Sequence, residues 1–145
     1  MAKAILLSIH PKWAKLIYEG KKTLEWRKNV PKKCEDYSKI FLYETAPVCK
    51  VTGFVELTGF DAVSPKMSRI YLGRQISDKE NEDAFDFIVN FGCVCKENLK
   101  KYQGKADYIY AWYIHFPQKF LTPKTLADFK LKRPPQSWCY TEVDV

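Results

Sequence analysis

The sequence predicts an α+β fold, a small mixed β-barrel with helices packed at its ends, built as one domain over residues 1–145. Three observations predict it. The chain opens with a strand, a short helix, a glycine and a charged strand. Runs of strand length at 39–44, 48–60 and 108–116 are separated by breakers, and long strands joined by short turns favour a strongly twisted barrel. Helical periodicity gathers in the middle, so 61–105 reads as a helical insertion.

Residues 4–9, Ala-Ile-Leu-Leu-Ser-Ile, form a continuous apolar run of strand length, suited to the centre of a sheet. Pro11 follows His10 and fits the first helical turn, where its missing N–H costs nothing. Trp13, Leu16 and Ile17 recur at helical spacing, with Lys12, Lys15 and Glu19 facing outward. Gly20 ends the helix, where a left-handed conformation is cheap for glycine. Residues 24–27 alternate apolar and charged, and 29–38 is a polar loop around Pro31, Lys32 and Lys33. In the strand over 48–60, Gly53 and Gly59 suggest bulges or close backbone approach. Residues 61–78 read as irregular, with Ser64-Pro65 a breaker. Ser77 and Asp78 are caps for a helix over 79–90, whose apolar stripe is Ala84, Phe87, Ile88 and Phe91. Gly92 closes that helix, and a shorter one runs over 96–102. The β-branched and aromatic run 108–116 is the strongest strand and a natural middle strand. Residues 120–129 read as loop-like or as a short helix after Thr125. Pro134-Pro135 then fix an extended segment that presents Gln136, Ser137 and Trp138.

Composition narrows the function classes. Lys and Arg number 24 against 17 Asp and Glu, a net charge of +7, which makes a polyanion a plausible partner. Aromatic residues make up 15% of the chain, enough for some rings to stack on bases rather than fill a core. No run approaches the roughly 20 apolar residues of a membrane span. No signal peptide is seen, and the five cysteines are an odd number, so reduced thiols in a cytoplasmic protein are expected. Cys93-Val94-Cys95 lacks a nearby second pair, so neither a metal site nor a cofactor is expected.

The densest chemistry lies in 20–28, Gly-Lys-Lys-Thr-Leu-Glu-Trp-Arg-Lys. Strand alternation puts Leu24 and Trp26 on one face and Glu25 and Arg27 on the other. Lys22, Glu25 and Arg27 then meet at the start of one strand. A solvated charged face is the plain reading of such a pattern.

Three pieces stand together: Ser8-Ile9-His10-Pro11 with the helix to Gly20; the 20–27 stretch; and Arg133-Pro134-Pro135-Gln136-Ser137-Trp138. With these the chain resembles an ASCH domain, the activating-signal-cointegrator homology family of the PUA-like superfamily, in its bacterial or prophage form. The first two pieces are similar to the family pattern S-I-x-P…G-x-K-T-x-E-x-R. The resemblance implies a PUA-like barrel and a cleft lined by the glycine-lysine motif and the end of the first helix. It implies RNA, single-stranded nucleic acid or a nucleoside as partner, without a membrane. A subset of small bacterial members hydrolyses N4-acetylcytidine, using the lysine two after the glycine, a threonine three further on and a distant glutamate. Carried onto this chain, the lysine is Lys22 and the threonine position is Glu25; Glu80 and Glu82 are the candidates for the glutamate.

From the residues themselves, Lys21, Lys22 and Arg27 can hold phosphate as charge-assisted donors, extended by Lys12, Lys15, Lys32 and Lys33. Base reading would fall to Trp13, Trp26, Tyr43, Gln136 and Trp138, with Glu25 accepting from an exocyclic amine and Ser8, His10 and Ser137 as further ligand contacts. For Trp26 and Trp112, strand patterning favours the core. Two readings stand for His10, a proton shuttle or a helix cap. If the chain is an enzyme, an amidohydrolase acting on N4-acetylcytidine-like nucleosides, Lys22 and Glu25 carry the catalysis. A non-catalytic reader of modified bases uses the same groups.

Overall fold

The computed structural model describes residues 2–32, 39–71 and 76–144. Lys33 and most of the loop read over 29–38 lie outside them. The elements are β1 (Ala2–Ile9), α1 (Pro11–Tyr18), β2 (Leu24–Arg27), β3 (Lys39–Glu44), β4 (Lys50–Ser64), β5 (Arg69–Tyr71), α2 (Asp78–Val89), α3 (Lys96–Gln103), β6 (Ile109–Lys124), a 3-10 turn (Leu126–Phe129) and β7 (Trp138–Val143). Hydrogen-bonded strands follow the order β2-β6-β4-β3-β1-β7, with β5 on β4. β1 runs parallel to β3, whereas β1–β7, β2–β6, β3–β4 and β4–β5 are antiparallel. This mixed sheet with three helices is the α+β architecture the sequence predicts. Among the described residues the ladder path ends at β2 and β7 without closing on itself.

The chain divides into two compact units, Met1–Gly20 with Lys32–Leu57 and His115–Val145, and Lys21–Pro31 with Thr58–Ile114. β4 and β6 each contribute residues to both.

In the first unit β1 lies between β3 and β7, and Ile5, Leu6 and Leu7 are fully buried. A strand covered on both faces reads as an uninterrupted apolar run, which is why 4–9 shows no alternation. Its core joins Ala4, Leu6, Phe41, Tyr43, Val51, Phe129 and Val143. The ring of Phe41 lies 5.4 Å from Phe54 and 5.0 Å, edge-on, from Phe129. Pro11 stands at the start of α1, and Gly20 follows its end with φ +78°. The buried residues of α1 are Ala14 and Ile17, while Trp13 and Leu16 lie half-buried at the margin. Opposite Leu42 and Tyr43 the β4 register slips by one residue at Thr52, next to Gly53. A Cβ on Gly53 would stand 2.1 Å from the Gln118 carbonyl oxygen, the close approach its sequence suggests. Gly59 has open space around it, so the same expectation does not hold there. Residues 120–124, read as loop-like, are strand; only Leu126–Phe129 turns helical, opened by a capping box of Thr125 and Asp128.

The second unit packs Leu24, Trp26, Val63, Ile70, Phe85, Ile88, Leu99, Ile109 and Ala111. Two expectations change here. Residues 61–78 are not irregular throughout: β4 continues to Ser64 and pairs with β5, and the Asn81 side chain accepts the Ile70 N–H at 2.6 Å. That polar anchor explains the second change. α2 buries Asn81, Phe85 and Ile88, one face at i, i+4 and i+7, while Phe87 is 64% exposed. Phe87 and Phe91 pack edge-to-face on each other at 5.1 Å on the exposed side. The expected cap is present, with the Ser77 hydroxyl accepting the Glu80 N–H at 3.1 Å.

Candidate functional site

β2 carries its charges inward. Paired with β6 at Leu24↔Tyr113, Glu25↔Trp112, Trp26↔Ala111 and Arg27↔Tyr110, it is buried on both faces up to Arg27. The turn before it is pinned by backbone. The Thr23 N–H donates to the Phe91 carbonyl at 2.9 Å, and the Ile114 N–H donates to the Thr23 carbonyl at 3.0 Å. This places Lys22, 2% exposed, where its ammonium donates to the Gly92 carbonyl and lies 3.5 Å from Glu25 Oε1. Glu25 Oε1 also accepts the Trp26 N–H, while Oε2 accepts from Arg27 Nη2 at 3.2 Å. Lys22, Glu25 and Arg27 therefore meet, and the solvated-face reading of Glu25, 6% exposed, is ruled out.

Burial lowers the Lys22 pKa below its ordinary value; Glu25 and Cys93 oppose the shift and Arg27 adds to it. Taking such charges out of water costs several kcal/mol per ion, and apolar residues of equal volume commonly serve stability as well or better. Packing alone therefore gives no reason for three charges here, and clusters of this kind concentrate at functional sites. Lys21 is exposed, and its carbonyl accepts from Cys93 Sγ at 3.5 Å. Trp26 is core, as expected; it packs so closely on Gly92 that a Cβ there would stand 2.1 Å from its Nε1.

Sequence reasoning missed Gly92, Cys93 and Tyr102. Tyr102 has Lys28 Nζ 5.0 Å over its ring. Burial raises its pKa, with Glu25 adding and Arg27 opposing, so its hydroxyl senses the cluster. The glycine that closes α2 was the one visible signal; nothing marked its carbonyl as an acceptor. Glu80 and Glu82 are exposed in the first turns of α2. At about 1.5 Å of rise per residue, Glu82 lies roughly 10 Å and Glu80 roughly 13 Å along the axis from the Val89 end of α2, which leads to Gly92 and Lys22.

The remaining candidates belong to the first unit. The Ser8 hydroxyl donates to the Pro135 carbonyl at 2.6 Å, and its N–H donates to the Ser137 carbonyl at 2.9 Å, so Ser8 tethers the tail. Tyr43, register partner of Ser8, is 6% exposed and sits in the core cluster, closed to a stacking base. His10 occupies the N-cap position, but its side chain makes no capping bond; Nδ1 lies 3.4 Å from Thr45 Oγ1. Trp13 is half-buried with Lys12 Nζ 4.7 Å over its ring. Gln136 is exposed, Ser137 half-buried, and Trp138 begins β7, opposite Leu7 and perpendicular to Tyr140 at 5.3 Å. Among the described residues no helix is long and apolar enough to cross a membrane.

Comparison with known proteins adds the following. The family model described as ASCH domain matches residues 7–124. An ASCH domain-containing ribonuclease of Zymomonas mobilis is 33% identical over 86 residues, 58% of this chain and 57% of that protein. The match thus spans little more than half of that relative's length. A crystal structure of ASCH from Zymomonas mobilis has a TM-score of 0.71 at 22% identity, covering 94% of this chain and 86% of that one. A mutant of it gives 0.72 at 21%, covering 94% and 87%. At these identities the structural likeness speaks for the fold.

Proposed function

The chain belongs to the ASCH domain family, and from that premise we propose that it binds single-stranded RNA through the β2 region of its second unit. The observation that carries the reading is the buried Lys22–Glu25–Arg27 cluster. Arg27 is the least buried of the three and offers a phosphate its planar fork, with exposed Lys21 and Lys28 adding charge. Glu25, whose Oε2 accepts from Arg27 Nη2, orients that guanidinium rather than meeting a base itself. Lys22, tied to Gly92 and Glu25, is a positioning residue that holds that carboxylate in place. Tyr102, exposed beside Lys28, supplies a ring for stacking.

The test is fluorescence anisotropy with a labelled single-stranded RNA over a salt series. The logarithm of affinity should fall linearly with the logarithm of salt. Arg27→Ala should weaken binding of every sequence and lower the slope by about one. Absent binding, or affinity indifferent to salt, contradicts the proposal. The ribonuclease name of the Zymomonas relative extends the experiment: the same RNA is followed for cleavage, which Glu25→Gln should slow if this chain cuts.

A second reading is favoured by the lowered pKa of Lys22. A lysine less firmly protonated is better suited to act as base or nucleophile in an amidohydrolase for N4-acetylcytidine-like nucleosides. It predicts acetate release from N4-acetylcytidine that Lys22→Ala abolishes. No turnover removes it, and a modified-base reader would instead show ligand binding without turnover.

A further inference from the structure

We infer that the second unit carries a stacking track for a single strand, a row of three tyrosines that continues the β2 site away from Arg27. The inference rests on the RNA reading and adds to it the course of the strand across the sheet.

The row is built by register. Tyr110 stands opposite Arg27 in the β2–β6 ladder, so both side chains leave the same face of the sheet. Tyr108, just before β6, packs edge-to-face on Tyr110 with ring centres 5.5 Å apart. Tyr71, the last residue of β5, packs edge-to-face on Tyr108 at 6.0 Å. The Arg69 guanidinium then lies 5.9 Å over the Tyr71 ring and ends the row. Alternation decides which way these rings face. Trp26, Ile70, Ile109 and Ala111, their neighbours along the chain, fill the core of the unit from the opposite face. Tyr71 and Tyr108 are consequently 40% and 44% exposed, and Tyr110 is half-buried. Rings left in water add little to folding, and contiguous exposed apolar surface marks an interaction site.

The chemistry around the row selects its occupant. Cations stand at both ends, Arg27 and Lys28 at one and Arg69 at the other. Asp78 lies 3.7 Å from Arg69 but is itself 98% exposed; a solvated pair of this kind is weak, so the guanidinium remains available to a phosphate. The hydrogen bond with Tyr108, and then burial, raise the Tyr110 phenol above its ordinary pKa, so it sets no anion against a phosphate. Rings bordered by cations form the platform on which successive bases stack while their backbone is neutralised. A duplex keeps its base faces stacked inside and gains nothing from such a row. Continuity with Arg27 gives the course: the strand meets β2, crosses β6 and leaves over β5.

Fluorescence anisotropy of the full chain with labelled oligouridines of two and eight nucleotides, and with an octamer whose central sugars carry no bases, tests the track. Tyr71→Ser combined with Tyr108→Ser, both at exposed positions, should weaken the octamer about tenfold or more. It should leave the dinucleotide at wild-type affinity and keep the salt slope, since no charge is lost. Arg27→Ala should lower that slope instead. Tyr71→Phe with Tyr108→Phe keeps the rings and should keep the affinity. The abasic octamer makes the same test on the wild-type protein: it should bind about tenfold more weakly than the octamer, and the serine variant should add no further loss. No octamer binding by the wild type removes the RNA reading and this inference with it. Octamer binding that is indifferent both to the missing bases and to the serine substitutions overturns this inference alone and leaves the β2 site standing. So does a dimer, seen by light scattering, that the serine variant dissolves, because the row is then an interface between copies of this chain.

Discussion

Lys22 sits at the centre of the residue-scale account, because two acceptors depend on its one ammonium. Gly92 supplies a carbonyl and Glu25 a carboxylate. Replacing Lys22 by Met leaves Glu25 buried with a weaker set of partners. The expected cost is about 3–5 kcal/mol in urea unfolding, as for other buried pairs broken on one side. A pH dependence follows from the same burial. The folded value lies below the ordinary 10.5, so the unfolded chain keeps this proton to higher pH. Where the unfolded state binds more protons, stability rises with pH. Relative to Lys22→Met, the wild type should therefore gain stability as pH climbs from the folded value toward 10.5. Unfolding curves of the two proteins with a constant difference across that range would contradict it. The spacing of Lys22, Glu25 and Arg27 announced that these charges meet. Their burial was not legible, because Gly92 lies 70 residues away in the chain.

α2 shows at the element scale what local pattern does and does not carry. Its N-terminus was legible because capping is local: Ser77 accepts the N–H three residues on. Ser77→Ala should cost about 1 kcal/mol, read from the shift in denaturant midpoint. The buried face was not legible, since the segment carries three phenylalanines, and while Phe85 turns inward, Phe87 and Phe91 pack on each other on the exposed side. Asn81, polar by type, is drawn inside by the Ile70 N–H. β5 was missed with it, because a three-residue strand has no periodicity to read and exists through pairing with β4. The end of α2 offers a sharper test. Gly92→Ala sets a methyl against the Trp26 indole and should cost about 1–3 kcal/mol, as overpacking does. An unchanged midpoint would show that Trp26 has room to move.

Across the whole molecule, the opening strand–helix–glycine–strand unit and the aromatic strand made the α+β class legible, and that opening unit with the Arg133–Trp138 tail made the family legible. Each relies on short motifs or on unbroken apolar runs, and the matched span of 7–124 begins inside β1 and takes in α1, the 20–27 motif and the aromatic strand. The division of the chain was not legible, because β4 and β6 pass from one unit to the other without a break in strand pattern. The net charge of +7 gives any RNA binding a sequence-independent component, which high salt removes. What remains to be separated is that general attraction from the specific β2 cluster. Replacing Lys22, Glu25 and Arg27 together, by Met, Leu and Met, removes one net positive charge and leaves no buried ion uncompensated. Such exchanges often preserve or raise stability. The decisive measurement is the affinity of this folded triple variant for single-stranded RNA at physiological salt. At least a tenfold loss is expected, more than one surface charge contributes; affinity equal to that of the wild type would contradict the account.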